Sequence, residues 1–244
     1  QELARIAGLQ QLLRPESLDS LAGARFAVFS EAYRLVGGDY FDVATLSHLA
    51  PAGRAGGEVL GLSIADVAGH GPAAAVEAAM LDAIMRTFTG SRAFEAGPGP
   101  HRVLDYVNRH MFTRRPRASF ITAFLANYFA AERRLQYACA GHPPALLRRA
   151  GGGTAELPVP GEIPLGVLRD HRWSAQQVQL AAGDILVLYT DGVIESRSPA
   201  GEEFGRGGLL AAVDAAEGDP DAVLASVCGA LREHSAGRAP GGRS

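Results

Sequence analysis

Val59-Leu60-Gly61-Leu62-Ser63-Ile64-Ala65-Asp66-Val67-Ala68-Gly69-His70-Gly71-Pro72 is the stretch on which the fold turns. Its first seven residues are apolar at nearly every position, which marks a buried strand rather than a surface one. The run ends at Asp66, a glycine loop follows, and Pro72 suits the first turn of a helix, where the missing N–H has no partner to lose. Val76, Met80, Ile84 and Phe88 then repeat every four residues through an alanine-rich segment, so a helix is predicted there. A carboxylate placed directly after such a strand is costly to bury without a partner. The order is strand, acidic glycine loop, helix.

Two further acids punctuate apolar runs in the same way. They stand in Gly37-Gly38-Asp39-Tyr40-Phe41-Asp42 and in Leu188-Tyr189-Thr190-Asp191-Gly192. Carboxylates at strand ends beside glycines can converge on a divalent cation, because hard cations such as Mg2+ and Mn2+ prefer oxygen ligands. Strands are predicted on both sides of Gly37-Gly38, first through Phe26, Val28 and Phe29 and then through Tyr40, Phe41 and Val43, with a hairpin-like bend carrying Asp39. Asp42 lies three residues past Asp39, and an odd offset on an extended strand sends it to the opposite face.

At 244 residues, 47% of them apolar, the chain can bury a substantial core, and one catalytic domain is expected. A net charge of −3 without a concentrated basic stripe argues against a nucleic-acid surface. All 23 cationic side chains are arginine. Cys139 and Cys228 lie far apart with no metal-ligand spacing, which fits a reduced, cytoplasmic protein. No apolar stretch has the length of a membrane span, no signal-peptide order opens the chain, and no membrane contact is expected. Gln1 to Ile6 reads as mid-helix with no initiator methionine, so the sequence is expected to be part of a longer protein.

Residues 2–14 space Leu3, Ile6 and Leu13 helically before Pro15. Val103, Val107 and Met111 mark a second internal helix. Strands follow at roughly 119–129, 134–140, 144–149, 173–180 and 184–190, with connections short enough for antiparallel hairpins. Gly151-Gly152-Gly153 reads as a turn. Leu209, Leu210 and Val213, then Val223, Val227 and Leu231, return the chain to helix. Strands in two batches with helices between and after them predict an α+β layered sandwich of two antiparallel sheets with helices outside.

Five segments in this order carry a resemblance: Val36-Gly-Gly-Asp-Tyr-Phe-Asp42, Ala65-Asp-Val-Ala-Gly-His-Gly71, Ala140-Gly-His-Pro-Pro144, Pro164-Leu-Gly-Val167 and Leu186-Val-Leu-Tyr-Thr-Asp-Gly-Val-Ile-Glu195. Over roughly residues 25–235 the chain resembles the metal-dependent (type 2C, or PPM) serine/threonine protein phosphatases, in their bacterial SpoIIE-like branch. The resemblance implies a four-layer α-β-β-α sandwich spanning 21–244, preceded by a regulatory or linker helix at 1–20. It also implies a pair of Mn2+ or Mg2+ ions. Asp66 matches the ligand that bridges them, Val67 the backbone carbonyl ligand, Asp39 the acid of the second ion and Asp191 a ligand of the first. The implied reaction is hydrolysis of a phosphoserine or phosphothreonine by metal-activated water. Anti-anti-sigma-type proteins are the implied substrates, with an upstream sensor and a homodimer through the N-terminal helix as further partners.

Other polar residues keep two readings each. His70 is either a proton donor to the leaving oxygen or a structural group of the glycine loop, and Arg34 either grips substrate phosphate or is a solvated strand arginine. His142 is expected to pack and hydrogen-bond near a sheet edge, and Glu195 to be a solvated helix-end residue. Family members finish with a further acid and an apolar closing strand, whereas this sequence stops at Arg238-Ala-Pro-Gly-Gly-Arg-Ser244 without them. A catalytically silent phosphatase-like binding module is therefore the alternative. A nucleotide-binding glycine loop at 69–71 is disfavoured, because it lacks the lysine and spacing of a phosphate-binding loop.

Overall fold

The computed structural model describes residues 21–30, 37–46, 49, 58–91, 99–112 and 119–237. The expected N-terminal helix, Arg34 and the chain end after 237 lie outside them. The chain divides into two compact units, one built mainly from 30–142 and 158–180, the other from 143–157 and 181–244 with 25–29.

The first unit is organised on a five-stranded antiparallel sheet in the order β1-β2-β3-β4-β7. Its strands are β1 (Asp39–Thr45), β2 (Val59–Val67), β3 (Ile121–Phe129), β4 (Arg134–Ala140) and β7 (Gln176–Gln179). Every pairing is antiparallel, but only β3 and β4 form the short hairpin the connections predict; β2 reaches β3 through two helices, and β4 pairs with β7 rather than with the strand that follows it. Helices α1 (Pro72–Thr89) and α2 (Pro100–Phe112) pack on one face of it. That face contributes Tyr40, Ala65, Val67, Ala123 and Leu125, and the helices answer with Leu81, Met85, Leu104, Val107 and Met111. Leu104, Val107 and Met111 are wholly buried, and each such side chain contributes about 1.5–3 kcal/mol through removal from water. Phe88 of α1 stacks on Tyr106 of α2, with ring centroids 4.1 Å apart.

The buried face of α1 follows the four-residue repeat only towards its end, where Phe88 is buried and Ile84 packs against the core. Ala74, Ala78, Leu81, Met85 and Phe88 point inward, while Val76 is 57% exposed. A strict four-residue repeat drifts about 40° per step around a helix of 3.6 residues per turn, whereas alternating steps of four and three hold one face. Alanine's small side chain lets the helix sit close to the sheet. A strand at 26–29 does not form either: residues 25–30 join no ladder, and Val28 and Phe29 are half exposed. Asp39 opens β1 itself rather than sitting in a hairpin bend, and β1 pairs with β2.

The segment 158–175 is fastened to α2 and to itself by polar side chains. Asn108 donates to the carbonyls of Leu168 and Arg169 and accepts from Gly166 N–H. Glu162 accepts from His171 Nε2 at 2.8 Å and from the hydroxyl and N–H of Ser174. Burial pushes the Glu162 carboxyl up, but these donors outweigh it and hold the group below its ordinary range. An acid lowered in the folded state stabilises the fold above the ordinary carboxylate range and loses that contribution as pH falls through the lowered value. Glu162→Gln is expected to cost about 1–3 kcal/mol at neutral pH. In urea unfolding at stepped pH, the gap from the unaltered chain should close as pH drops below about 4.5.

The second unit carries a three-stranded antiparallel sheet, β6-β5-β8, from β5 (Leu146–Arg148), β6 (Thr154–Glu156) and β8 (Ile185–Val187). The glycine turn at 151–153 joins β5 to β6, a strand too short to be read from its composition. Helices α3 (Asp191–Ile194), α4 (Gly205–Ala215) and α5 (Pro220–Ser235) follow, and Leu146, Tyr189, Leu209, Val213, Val223 and Val227 form its core. Two antiparallel sheets with helices make the protein α+β. Among the described residues no helix is long and apolar enough to cross a membrane.

Candidate metal centre

Strand β2 runs through Asp66 to Val67, and its register sets Asp39 of β1 directly opposite Asp66. Residues directly opposite on antiparallel strands share a face, so both carboxylates rise from the side of the sheet away from the helices. Two like charges so placed repel, and a bound cation would turn that repulsion into attraction. Asp39 is exposed and Asp66 half-buried, so solvent and ions reach the pair.

Gly38 supplies the third element. Its backbone passes so close to the end of β2 that a Cβ would stand 2.6 Å from the Val67 carbonyl oxygen and 3.3 Å from Asp66 Oδ1. Only glycine admits so close an approach to that carbonyl. The Val67 N–H donates to the Gly38 carbonyl at 3.3 Å, which closes the ladder at this end. Beyond Val67, the loop turns through Gly69 (φ +100°) and Gly71 (φ +85°), a left-handed path that side chains rarely take, and delivers Pro72 to the start of α1. His70 sits in this loop, exposed.

The polar row continues across the sheet. Asp66 pairs with Thr122 of β3, and Thr122 Oγ1 lies 2.9 Å from Nδ1 of the buried His142. Cys139 donates its thiol to the His142 carbonyl. Burial pushes that thiol up to about 11, against the lowering effect of the hydrogen bond, so it stays protonated and is no nucleophile.

On the helix side of β1 lies an arrangement that the sequence reading missed. Tyr40 Oη donates to Asp82 Oδ1 at 2.7 Å, Arg86 Nε donates to the same oxygen at 2.8 Å, and Arg86 Nη2 donates to Asp42 Oδ2 at 2.9 Å. The Asp42 and Asp82 side chains keep 8% and 11% of their surface exposed and the Arg86 side chain 54%, so the guanidinium covers two buried carboxylates. Burial raises the Asp42 carboxyl above its ordinary range, although Arg86 works against the shift. Burial and the neighbouring acids likewise raise the Tyr40 phenol, which stays a donor. The available signal was an Asp-Arg pair four residues apart inside an alanine-rich helix; it reads as a solvated pair until β1 is laid over it.

Asp191 opens α3 in the second unit, half-buried, with Glu195 exposed at that helix's end and donating its N–H to the Asp191 carbonyl at 2.8 Å. Among the described residues, no three His, Cys, Asp or Glu side chains of this structure gather into a metal-holding group. What the sheet does assemble is a pair of opposed acids with the Val67 carbonyl at the same strand end, all hard oxygen donors of the kind Mg2+ and Mn2+ take.

Comparison with known proteins bears on the same stretch. Residues 56–240 match the family model described as stage II sporulation protein E (SpoIIE). The phosphoserine phosphatase RsbU of Bacillus subtilis is 33% identical over 145 residues, which are 59% of this chain and 42% of that protein. The chain spans less than half the length of the curated relatives it matches. Among solved structures, the SiaA-PP2C domain of Pseudomonas aeruginosa superposes with a TM-score of 0.78 at 22% identity, over 96% of this chain and 89% of that one. RsbX in complex with magnesium gives a TM-score of 0.53 at 16% identity, over 82% and 81%. The fold, the order of the motifs and the family match agree: this chain belongs to the stage II sporulation protein E family, and its fold is similar to that of the SiaA-PP2C domain.

Proposed function

We propose that the chain is a metal-dependent protein serine/threonine phosphatase that hydrolyses a phosphoserine or phosphothreonine on a regulatory protein of the anti-anti-sigma type. The observation that carries it is the opposition of Asp39 and Asp66 at the strand end that Gly38 closely approaches. Asp39, Asp66 and the carbonyl of Val67 would hold Mn2+ or Mg2+, and the motif order adds Asp191 as a ligand of the first of two ions. Bound ions would supply an acidified water and neutralise charge on the phosphoryl oxygens.

The protein's own part is orientation. Asp66, between β1 and β3, is held by ladders on both sides and fits the bridging role. Asp39, on the edge strand, fits the outer ion. His142 and Thr122 anchor the row behind Asp66, and exposed His70 is free to approach a leaving oxygen. Arg34 is proposed to grip the substrate phosphate. RsbU carries the name phosphoserine phosphatase and RsbX has been crystallised with magnesium, and both support this reading by kinship. An upstream sensor, dimerisation through residues 1–20, a four-layer stacking and a cytoplasmic location belong to the same proposal.

The second reading, a silent binding module, is favoured by the lack of a three-residue metal group among the described residues. Release of inorganic phosphate from a phosphoserine protein, measured with Mn2+ and with a chelator, separates the two. Turnover that the chelator abolishes supports the phosphatase; no release at any Mn2+ concentration supports the silent module.

A further inference from the structure

We propose that Arg86, acting with Asp82 through Tyr40 and Asp42, is a positioning residue of the metal centre that sets the register of β1 and so holds Asp39 opposite Asp66. The inference rests on the reading of Asp39 and Asp66 as cation ligands. Among the described residues, strand β1 is the edge of its sheet, laddered to β2 alone. It carries one carboxylate of the pair, so any slip of β1 dismantles the site.

Alternation along β1 cannot prevent every slip. A shift by one residue would turn Asp39 to the helix side and is opposed by burial, but a shift by two keeps all side chains on their faces. It would bring Phe41 rather than Asp39 opposite Asp66. Something other than hydrophobic pattern must choose between these registers.

The polar circuit on the helix side makes that choice. Tyr40 and Asp42, two residues apart on β1, reach Asp82 and Arg86, one turn apart on α1, through three hydrogen bonds of 2.7, 2.8 and 2.9 Å. Donors and acceptors match only in this register. After a two-residue slip the acid would meet the place of the phenol, and Asp82 would face a second carboxylate instead of a donor. Two mostly buried carboxylates over one half-exposed guanidinium are a poor way to gain stability, since desolvation offsets much of the attraction. Register selection is the best-attested use of such a group. Ser63 of β2 adds a bond from its hydroxyl to the Asp42 carbonyl, at the level where β1 and β2 are already paired.

The experiment compares Tyr40→Phe, Arg86→Lys and Arg86→Gln with the unaltered chain. It reads Mn2+ affinity from the electron paramagnetic resonance signal of the free ion, amide hydrogen exchange in β1 against β3 and β4, and phosphate release at rising Mn2+. Tyr40→Phe and Arg86→Gln should weaken Mn2+ binding about tenfold or more, the scale of losing an outer-shell partner. Their β1 amides should exchange faster while β3 and β4 hold, and saturating Mn2+ should restore most of the rate. Arg86→Lys keeps the charge without the fork and should fall between.

Mn2+ affinity within about twofold of the unaltered chain in both Tyr40→Phe and Arg86→Gln, whatever their stability, would overturn the proposal, because a partner that fixes a ligand is worth more than that. Should Arg86→Gln fail to fold, Tyr40→Phe decides alone, since it removes a single hydroxyl. An unaltered chain that binds no Mn2+ overturns the reading of the site and this inference together, and is recognised before any variant is compared.

Discussion

Asp66→Asn is expected to reduce metal-dependent phosphate release by well over the roughly 10- to 100-fold that loss of an outer-shell partner costs, with no loss of fold. Asparagine preserves the shape of the side chain but offers one neutral oxygen where the carboxylate offers two charged ones, so it holds a divalent cation far more weakly. Asp66 lies near the end of β2, paired on both sides with β1 and β3, and nothing in its backbone pairing depends on the charge. Without metal, the variant should be about as stable as the unaltered chain, since the isosteric amide keeps the side chain's shape. Added Mn2+ should raise the unfolding temperature of the unaltered chain by mass action and leave that of the variant unchanged. Thermal scans with and without Mn2+, beside a phosphate-release assay, check both halves. A variant that unfolds early without metal would show Asp66 to be structural instead.

Gly38→Ala is the second large effect. The added methyl carbon would lie 2.6 Å from the Val67 carbonyl oxygen and 3.2 Å from its Cβ, so backbone must move to admit it. Gly38 and Val67 are both buried, and overpacking of this kind costs about 1–3 kcal/mol. The functional cost should be larger than the stability cost suggests. The methyl group would collide with the one carbonyl proposed as a ligand and would push β1 away from β2 at the level of Asp39 and Asp66. Mn2+ affinity, measured by titration calorimetry, should fall at least about tenfold, and added Mn2+ should restore activity only in part. Equal affinity in Gly38→Ala would remove the Val67 carbonyl from the site.

Much of this was legible in the sequence, for a physical reason. The long strands have alternating or doubly apolar composition bounded by glycine or a turn, so β4 falls at 134–140 as read and β2 extends the expected run by two residues to Val67. The acids at 39 and 66 announced themselves because charge at the end of an apolar run needs a partner. Asp42 was sent to the far face by alternation alone, and it lies there. What the sequence hid is tertiary. The first two turns of α1 bury only alanines, while the larger Val76 faces solvent. Phe26, Val28 and Phe29 have strand composition, but composition does not supply a neighbouring strand. The partners of Tyr40 and Asp42 lie 42 and 44 residues away along the chain, and no local pattern links them.

The most direct test of the account is to follow the backbone amide resonances of the isotope-labelled chain as Mn2+ is added at a small fraction of the protein concentration. Paramagnetic broadening falls steeply with distance and so marks where the ion sits. The amides of Gly38, Asp39, Asp66 and Val67 should broaden first and recover when excess Mg2+ is added. Broadening spread over exposed acids elsewhere, with these four left sharp, would contradict the claim that Asp39 and Asp66 form a divalent-cation site.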